Sequence, residues 1–338
     1  MHMADALLSP VVGGVMCAVS VGAMAYSGAK IKKDELGEKK VPIMAVAGAF
    51  VFAAQMINFT IPATGSSGHI GGGILLAGLL GGFPAFLTLA AVLIIQCLFF
   101  ADGGLLALGC NIFNMGVLPC LVIYPLIFKP MLKKSTSYGR IMLTSVISVV
   151  IGLQLGAFGV VLETAASGIS ELPFKTFVLL MQPIHLAIGA VEGIVTGAIL
   201  CFVYNMRPEI LKSSVGGEGL SDDVSTKKVV IVLAVLALLV GGGLSLLASS
   251  NPDGLEWAME KVAGTTELEA TGSVLEGAAA AQEATAFMPD YDYAGENGGA
   301  INGTTVAGIV GGVLTFVLAG GVGLVISKVK KKNVVKKV

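Results

Sequence analysis

The chain opens Met1-His2-Met3-Ala4-Asp5 and runs directly into an apolar stretch, 6–26. An α-amino group, the His2 amide nitrogen and the His2 imidazole stand side by side there. Three nitrogens that close can form fused chelate rings on a small divalent metal. His69 and His185 are the other histidines. His69 lies in "ATGSSGHIGGG", a Gly/Ser-rich turn whose glycines let the backbone approach other chain closely. If His2 and His69 share a face, four nitrogens are on offer: the Met1 amine, the His2 amide, the His2 ring and the His69 ring. A square-planar nitrogen set suits Ni(II) or Cu(II), whereas zinc prefers a tetrahedron and magnesium prefers oxygen. The spacing permits such a set without establishing it. An ordinary surface histidine in a turn is the competing reading.

The elements that must position these residues follow from hydropathy. The 338-residue chain is 55% hydrophobic and only 13% charged, with a mean hydropathy of +0.87. Soluble domains carry about 25% charged residues. Apolar runs fall at about 6–29, 40–59, 72–128, 141–161, 176–204, 229–248 and 304–327. The pattern predicts an all-α polytopic membrane protein, with abundant Gly serving close helix packing. Of the 21 Lys and Arg, all but Lys175 and Lys261 cluster at 30–40, 129–140, 207–228 and 328–337. The positive-inside rule puts those clusters in the cytoplasm. The signs alternate if 72–128 crosses three times, for nine spans with Met1 outside and Val338 inside. Positive charge follows the first apolar run, at Lys30, Lys32 and Lys33, rather than preceding it as in a signal peptide.

The chain divides into 1–205, with seven expected spans, a polar cytoplasmic linker 206–228, and 229–338, where two spans bracket an extracytoplasmic loop 249–303. That loop holds ten acidic residues and one Lys. Solvation is the plainer reading of its acidity and a weak attraction for cations the other. Within it, 267–285 is helical or loose. His185 and Glu192, seven residues apart, share a face of the seventh span. They hold spans together or orient a metal ligand from behind. Asn111 and Asn114 are candidates for hydrogen bonds to the metal-binding loop. Asp5 can cap the first helix or receive a His N–H, and capping is the expected use; Asp102 is expected to serve the turn at Gly103-Gly104. Cys17, Cys97, Cys110, Cys120 and Cys201 show no CxxC spacing and read as small buried hydrophobes. No phosphate-binding G-x-x-x-x-G-K-[ST] loop occurs, so ATP hydrolysis is not expected in this chain. The basic clusters are short and flank spans, so nucleic-acid binding is not indicated. Contacts are expected with membrane lipid. A sensory or structural membrane protein with an incidental His, and a secondary transporter, are the competing classes. No convincing internal repeat supports the latter.

The segments "MHMADALLSPVVGG", "SSGHIGGG" and "ADGGLLALGCNIFNMG" resemble the NikM/CbiM family, the substrate-capture (S) components of energy-coupling-factor nickel and cobalt transporters. "NPDGLEWAMEKV" and "FMPDYDY" resemble NikN/CbiN, the two-span auxiliary component, so the whole is similar to a fused NikMN chain. The resemblance implies a seven-span S-component-like bundle followed by a two-span unit in the cell membrane. It implies a metal held by Met1, His2 and His69, and together with position it makes Asn111 and Asn114 supporting candidates; His185 and Glu192 are candidates to orient a ligand from behind by their place in the seventh span alone. It further implies a transmembrane coupling (T) protein and two cytoplasmic ABC-type ATPases as partners. Ni(II) is the expected cargo. Co(II) for cobalamin biosynthesis is the alternative, since four nitrogens in a plane and the Irving–Williams order favour nickel.

Overall fold

In a bilayer every backbone N–H and C=O must be satisfied within the segment, so an apolar run has little choice but to wind into a helix. The computed structural model describes residues 1–31, 36, 39–170, 172–221, 223–268, 271–293 and 302–335, with side chains as far as Lys330. The elements are α1 (Pro10–Lys30), α2 (Lys40–Gln55), β1 (Phe59–Ile61), β2 (Ser66–Gly68), α3 (Gly73–Leu80) and α4 (Gly82–Phe100). After them come α5 (Leu108–Lys134), α6 (Tyr138–Ser167), α7 (Phe174–Met206), α8 (Pro208–Gly216) and α9 (Lys227–Gly242). The last three are α10 (Gly254–Ala263), α11 (Ser273–Thr285) and α12 (Gly303–Val335). Strands β1 and β2 form one antiparallel hairpin, Phe59 opposite Gly68. Lys32, Lys33, Lys336 and Lys337 of the basic clusters, and 269–270 and 294–301 of the acidic loop, lie outside the described residues.

Among the described residues six helices, α1, α4, α5, α6, α7 and α12, are long and apolar enough to cross a membrane. Helices α2 and α9 have 16 residues each, about 24 Å. The three expected passes inside 72–128 are unequal. Helix α3 has eight residues, a rise of about 12 Å, and is reached through the Gly-rich segment 68–73. It ends at Gly81, whose φ of 89° interrupts the ladder before α4. Helix α5 is wound wider, in π fashion, over Phe113–Phe128, where Pro119 and Pro125 cannot donate to it.

Local chemistry sets the helix starts. Ser9 caps α1 by accepting from the Val12 N–H, and Pro10 fits the first turn. The capping role expected for Asp5 therefore falls to Ser9. Helices α6 and α7 lie against each other through Gly189, Gly193 and Gly197, one turn apart on α7. A Cβ at Gly193 would stand 2.6 Å from the Val146 Cα, and one at Gly189 3.2 Å from the Val150 Cα. Only glycine permits that approach.

Helices α9 and α12 pack on α2, which also contacts α4 and is buried along nearly its whole length. They cross each other where Gly241 meets Gly308. At one end of the bundle the linker is tied down by cations. Lys39 Nζ donates to the Ser221 and Val224 carbonyls at 3.0 and 2.8 Å, and Arg207 Nε to the Ser225 carbonyl at 2.9 Å. At the other end the long loop folds back over the hairpin. The Ser67 N–H donates to the Pro252 carbonyl at 2.8 Å, and Trp257 Nε1 to the Thr64 carbonyl at 2.9 Å.

Candidate functional site

The first five residues are threaded into the bundle rather than left at its edge. The Met3 N–H donates to Asn111 Oδ1 at 2.8 Å, and Asn111 Nδ2 donates to the Met3 carbonyl at 3.2 Å. The Gly104 N–H donates to the same carbonyl at 2.9 Å. Asp5 accepts from the Ala107 N–H at 2.8 Å. A side chain at position 104 would collide with the Asp5 carboxylate, which is why the "ADGG" turn closes on the terminus as it does. Met3, Leu7 and Leu8 are fully buried and Met1 is 6% exposed. Burial pushes the Asp5 carboxyl up, partly offset by the backbone N–H groups of Ala107, Leu106 and Leu105.

This threading brings the Met1 amino nitrogen within 3.1 Å of His69 Nε2. His69 Nδ1 faces the Ile70 carbonyl at 3.4 Å, which leaves Nε2 as the nitrogen with a lone pair to offer. The His2 and His69 rings stack, centroids 5.2 Å apart and planes 24° from parallel. The His2 ring is held at its other edge, Nδ1 at 3.2 Å from Asp102 Oδ1 and Nε2 at 3.2 Å from Gln96 Oε1. Asp102 also accepts from the Tyr291 hydroxyl at 2.5 Å. The amino group donates in addition to Asp253 Oδ2. Residues distant in sequence thus meet on one small patch. Among the described residues no three His, Cys, Asp or Glu side chains form a metal-holding group. The patch is distinctive because the chain's own amino group completes it.

Its electrostatics favour neutral nitrogens. Burial lowers both imidazoles. For His2 the Asp102 carboxylate opposes the shift and the nearby amino charge assists it. His69 goes well below the usual range, with the amino charge and His2 adding to burial. Burial would raise Asp253, but the amino charge, His69 and the hydrogen bond from the amine outweigh it and hold the carboxyl well below its ordinary range. The Tyr291 phenol is pushed well up by burial and by Asp102. A cation arriving here meets lone pairs from two rings, with the carboxylates of Asp102 and Asp253 beside them.

The remaining sequence candidates are placed differently. Asn111 holds the terminal segment through Met3, as above. Asn114 does not touch the His69 loop; its Nδ2 donates to Glu163 Oε2 at 2.7 Å, a partner the sequence did not suggest. Glu192 grips the His69 loop, accepting from the Gly72 N–H at 3.1 Å. His185 Nδ1 donates to the Met181 carbonyl one turn back at 2.8 Å. His185 and Glu192 therefore do not pair with each other. Beneath the amino group Met1, His69, Asn114, His185, Glu192 and Asp253 line a cavity of about 40 Å³.

Asp253, Asp102, Gln96 and Tyr291 are the neighbours that sequence reading missed. For Asp253 a signal existed. "DGLE" at 253–256 is a helix-capping pattern, and it is used: Oδ1 accepts from the Leu255 and Glu256 N–H groups at 2.7 and 3.0 Å, and Glu256 returns the bond to the Asp253 N–H at 2.9 Å. One carboxylate oxygen caps α10 while the other faces the amine. The acidity of the loop is thus not all solvation. Asp102 pairs with His2 and Tyr291 in addition to sitting at the expected turn. Nothing in the chain near Gln96 marked it.

The profile of a family described as the cobalt uptake substrate-specific transmembrane region matches residues 2–210, and that of the PDGLE domain matches 227–328. The putative fused nickel transport protein NikMN of Archaeoglobus fulgidus is 29% identical over 318 residues, covering 94% of this chain and 96% of that one. The putative cobalt transport protein CbiM of Methanocaldococcus jannaschii is 31% identical over 221 residues, 62% of this chain and 90% of that one. The crystal structure of a truncated transition metal transporter superposes with a TM-score of 0.54 at 30% identity, covering 61% of this chain and 99% of that one.

Proposed function

Because the chain belongs to the family of cobalt-uptake substrate-specific transmembrane regions, we propose that it is the metal-capturing membrane subunit of an ATP-driven energy-coupling-factor importer, with Ni(II) as its preferred cargo. The observation that carries this reading is the approach of the Met1 amine to His69 Nε2 beside the stacked His2 ring. The ligands are the Met1 amine, the His2 amide nitrogen, the His2 imidazole and His69 Nε2. Amine and amide close a five-membered ring on the ion, and amide and His2 Nδ1 a six-membered one. Bound in this way, the ion exchanges water for nitrogens already gathered by folding, which lowers the cost of entering a dry site. Asp102 and Asp253 stand on two of those nitrogens. The metal displaces them as hydrogen-bond partners and keeps them as nearby counter-charges. Ligands must lose protons to bind, and burial has already made the two rings poor bases.

Nickel over cobalt follows from the four-nitrogen donor set and from the Irving–Williams order. The names of the relatives, one a nickel and one a cobalt transport protein, support transport of this pair of metals. A cobalt importer feeding cobalamin biosynthesis is the second reading. A coupling protein and two cytoplasmic ATPases supply the energy. The amino terminus faces outward, at the end of the bundle opposite the basic clusters. Residues 1–205 capture the metal, 206–228 link, and 229–338 serve loading from above.

The amino-terminal amine is the decisive ligand, and its replacement is the test. Extending the chain by even two residues before Met1 turns the amine into an amide and forces more chain into a space where Met1 is already 6% exposed. Titration with Ni(II) should show affinity reduced at least a hundredfold against a chain tagged after Val338. Equal affinity would remove the amine from the site. Competition between Ni(II) and Co(II), followed by optical spectra of the carboxy-terminally tagged chain, decides the preference.

A further inference from the structure

Two side chains that line the cavity beneath the amino group carry acceptor atoms with no hydrogen-bond partner among the described residues. His185, on α7, is 1% exposed. Its Nδ1 spends its proton on the Met181 carbonyl at 2.8 Å, so Nε2 is a bare lone pair. Nε2 has no hydrogen-bond partner among the described residues. Glu192 is 4% exposed. One of its oxygens accepts from the Gly72 N–H, and Oε2 has no partner among the described residues. Both residues line the same cavity. The Asn114 amide donates to Glu163, and His69 Nδ1 faces the Ile70 carbonyl.

A buried acceptor without a donor has lost its hydration with nothing in exchange, and ionisable groups inside a membrane bundle mark ion or substrate pathways by default. Two such acceptors in one cavity are best satisfied by a cation that brings its own water. At about 40 Å³ the cavity is too small for an organic ligand. At about 10–15 Å³ per water it holds a partly hydrated ion. Imidazole nitrogen and carboxylate oxygen together suit a first-row divalent metal.

We propose that this cavity is a second, weaker divalent-metal site, in which His185 Nε2 and Glu192 Oε2 receive an ion released from the nitrogens above. The two residues are seven apart on one face of α7 and line the same cavity, and water fills the rest of the ion's shell. Two protein donors make a site loose enough to leave, as a transit position requires. Met1, His69 and Asp253 form the shared wall between the two positions. The identity of the ion rests on the capture reading above; the existence of the site does not.

The experiment is calorimetric titration of the full chain with Ni(II), in three forms. The unmodified chain should bind one equivalent tightly and a second at least a hundredfold more weakly. His185→Ala should keep the tight stage and lose the weak one. A chain extended before Met1 should lose the tight stage and keep the weak one. Glu192→Gln, which preserves shape and an acceptor for Gly72, should weaken the second stage at least tenfold and guards against a folding defect in His185→Ala. Saturation of the unmodified chain at one equivalent, or a weak stage unchanged in both variants, overturns the proposal. A missing tight stage with the weak one present overturns the capture reading instead.

Discussion

His69 is placed by its neighbours more than by its own turn. Gly72 is held by Glu192, Gly71 by Gln55 Nε2 at 2.9 Å, and β2 by the returning acidic loop. None of these bonds uses the imidazole, so His69→Ala should still enter the membrane and fold. Its Ni(II) affinity should fall at least a hundredfold, read by titration; unchanged affinity would exclude His69 as a ligand. The depressed imidazoles also set a pH dependence. The unfolded chain protonates these rings near pH 6.5, while the buried rings resist protonation to lower pH. Above about 6.5 both states hold them neutral. Below it the unfolded state binds more protons, so folded stability falls with pH. Asp253 acts in the same sense further down, since its depressed folded value means a contribution fully present above about 4 and lost progressively below it. Melting of metal-free protein should shift downward from pH 7 to 5, less steeply in His69→Leu. A flat profile would contradict the burial of the rings.

At the level of elements, the α6–α7 pair lines one side of the cavity, and its closeness depends on glycines one turn apart on α7. Gly193→Leu would drive a side chain into the backbone at Val146. Overpacking of this kind costs about 1–3 kcal/mol. Thermal melting in detergent should show the loss, and because α7 also carries His185 and Glu192, the cavity should open. Gly277, in α11 and with open space around it, serves as the control: Gly277→Ala should leave melting unchanged or slightly raised. Equal melting of Gly193→Leu and the unmodified chain would mean the two helices separate at no cost. The elements also show how a weak sequence signal gains meaning. The capping pattern at 253–256 predicts only a helix start. It becomes part of the site because β2 pairs with that start, Ser67 beside Asp253.

Across the whole molecule, the carboxy-terminal unit meets the rest in two ways. Inside the bundle, α9 and α12 pack on an apolar helix, α2, a surface that lipid can cover in their absence. At the candidate site, Asp253 reaches the Met1 amine directly, and Tyr291 reaches Asp102, which faces His2. Removal of 229–338 should therefore leave a chain that inserts, melts cooperatively and binds Ni(II), while uptake in cells with the partner subunits drops at least tenfold. Uptake at the normal rate would show that the unit is dispensable. Failure of the truncated chain to bind metal would show that it completes the site.

The sequence by itself determined the class and the inventory. A bilayer leaves an apolar run one backbone solution, so the runs that form α1, α6, α7 and α12 were legible as spans, and with them the shortlist of nitrogen donors, since the sequence holds only three histidines. The uneven division of 72–128 was not legible, because hydropathy counts apolar residues and is blind to where Gly81 takes a positive φ. Nor could the chain announce that Ser9, not Asp5, caps α1; both are good caps, and the choice depends on Ala107 drawing Asp5 away. Above all, the meeting of residues 1, 2, 69, 102 and 253 belongs to the tertiary structure. Contacts spanning tens to hundreds of residues are set by how helices pack and which loops they return to the same end, and no local propensity encodes that.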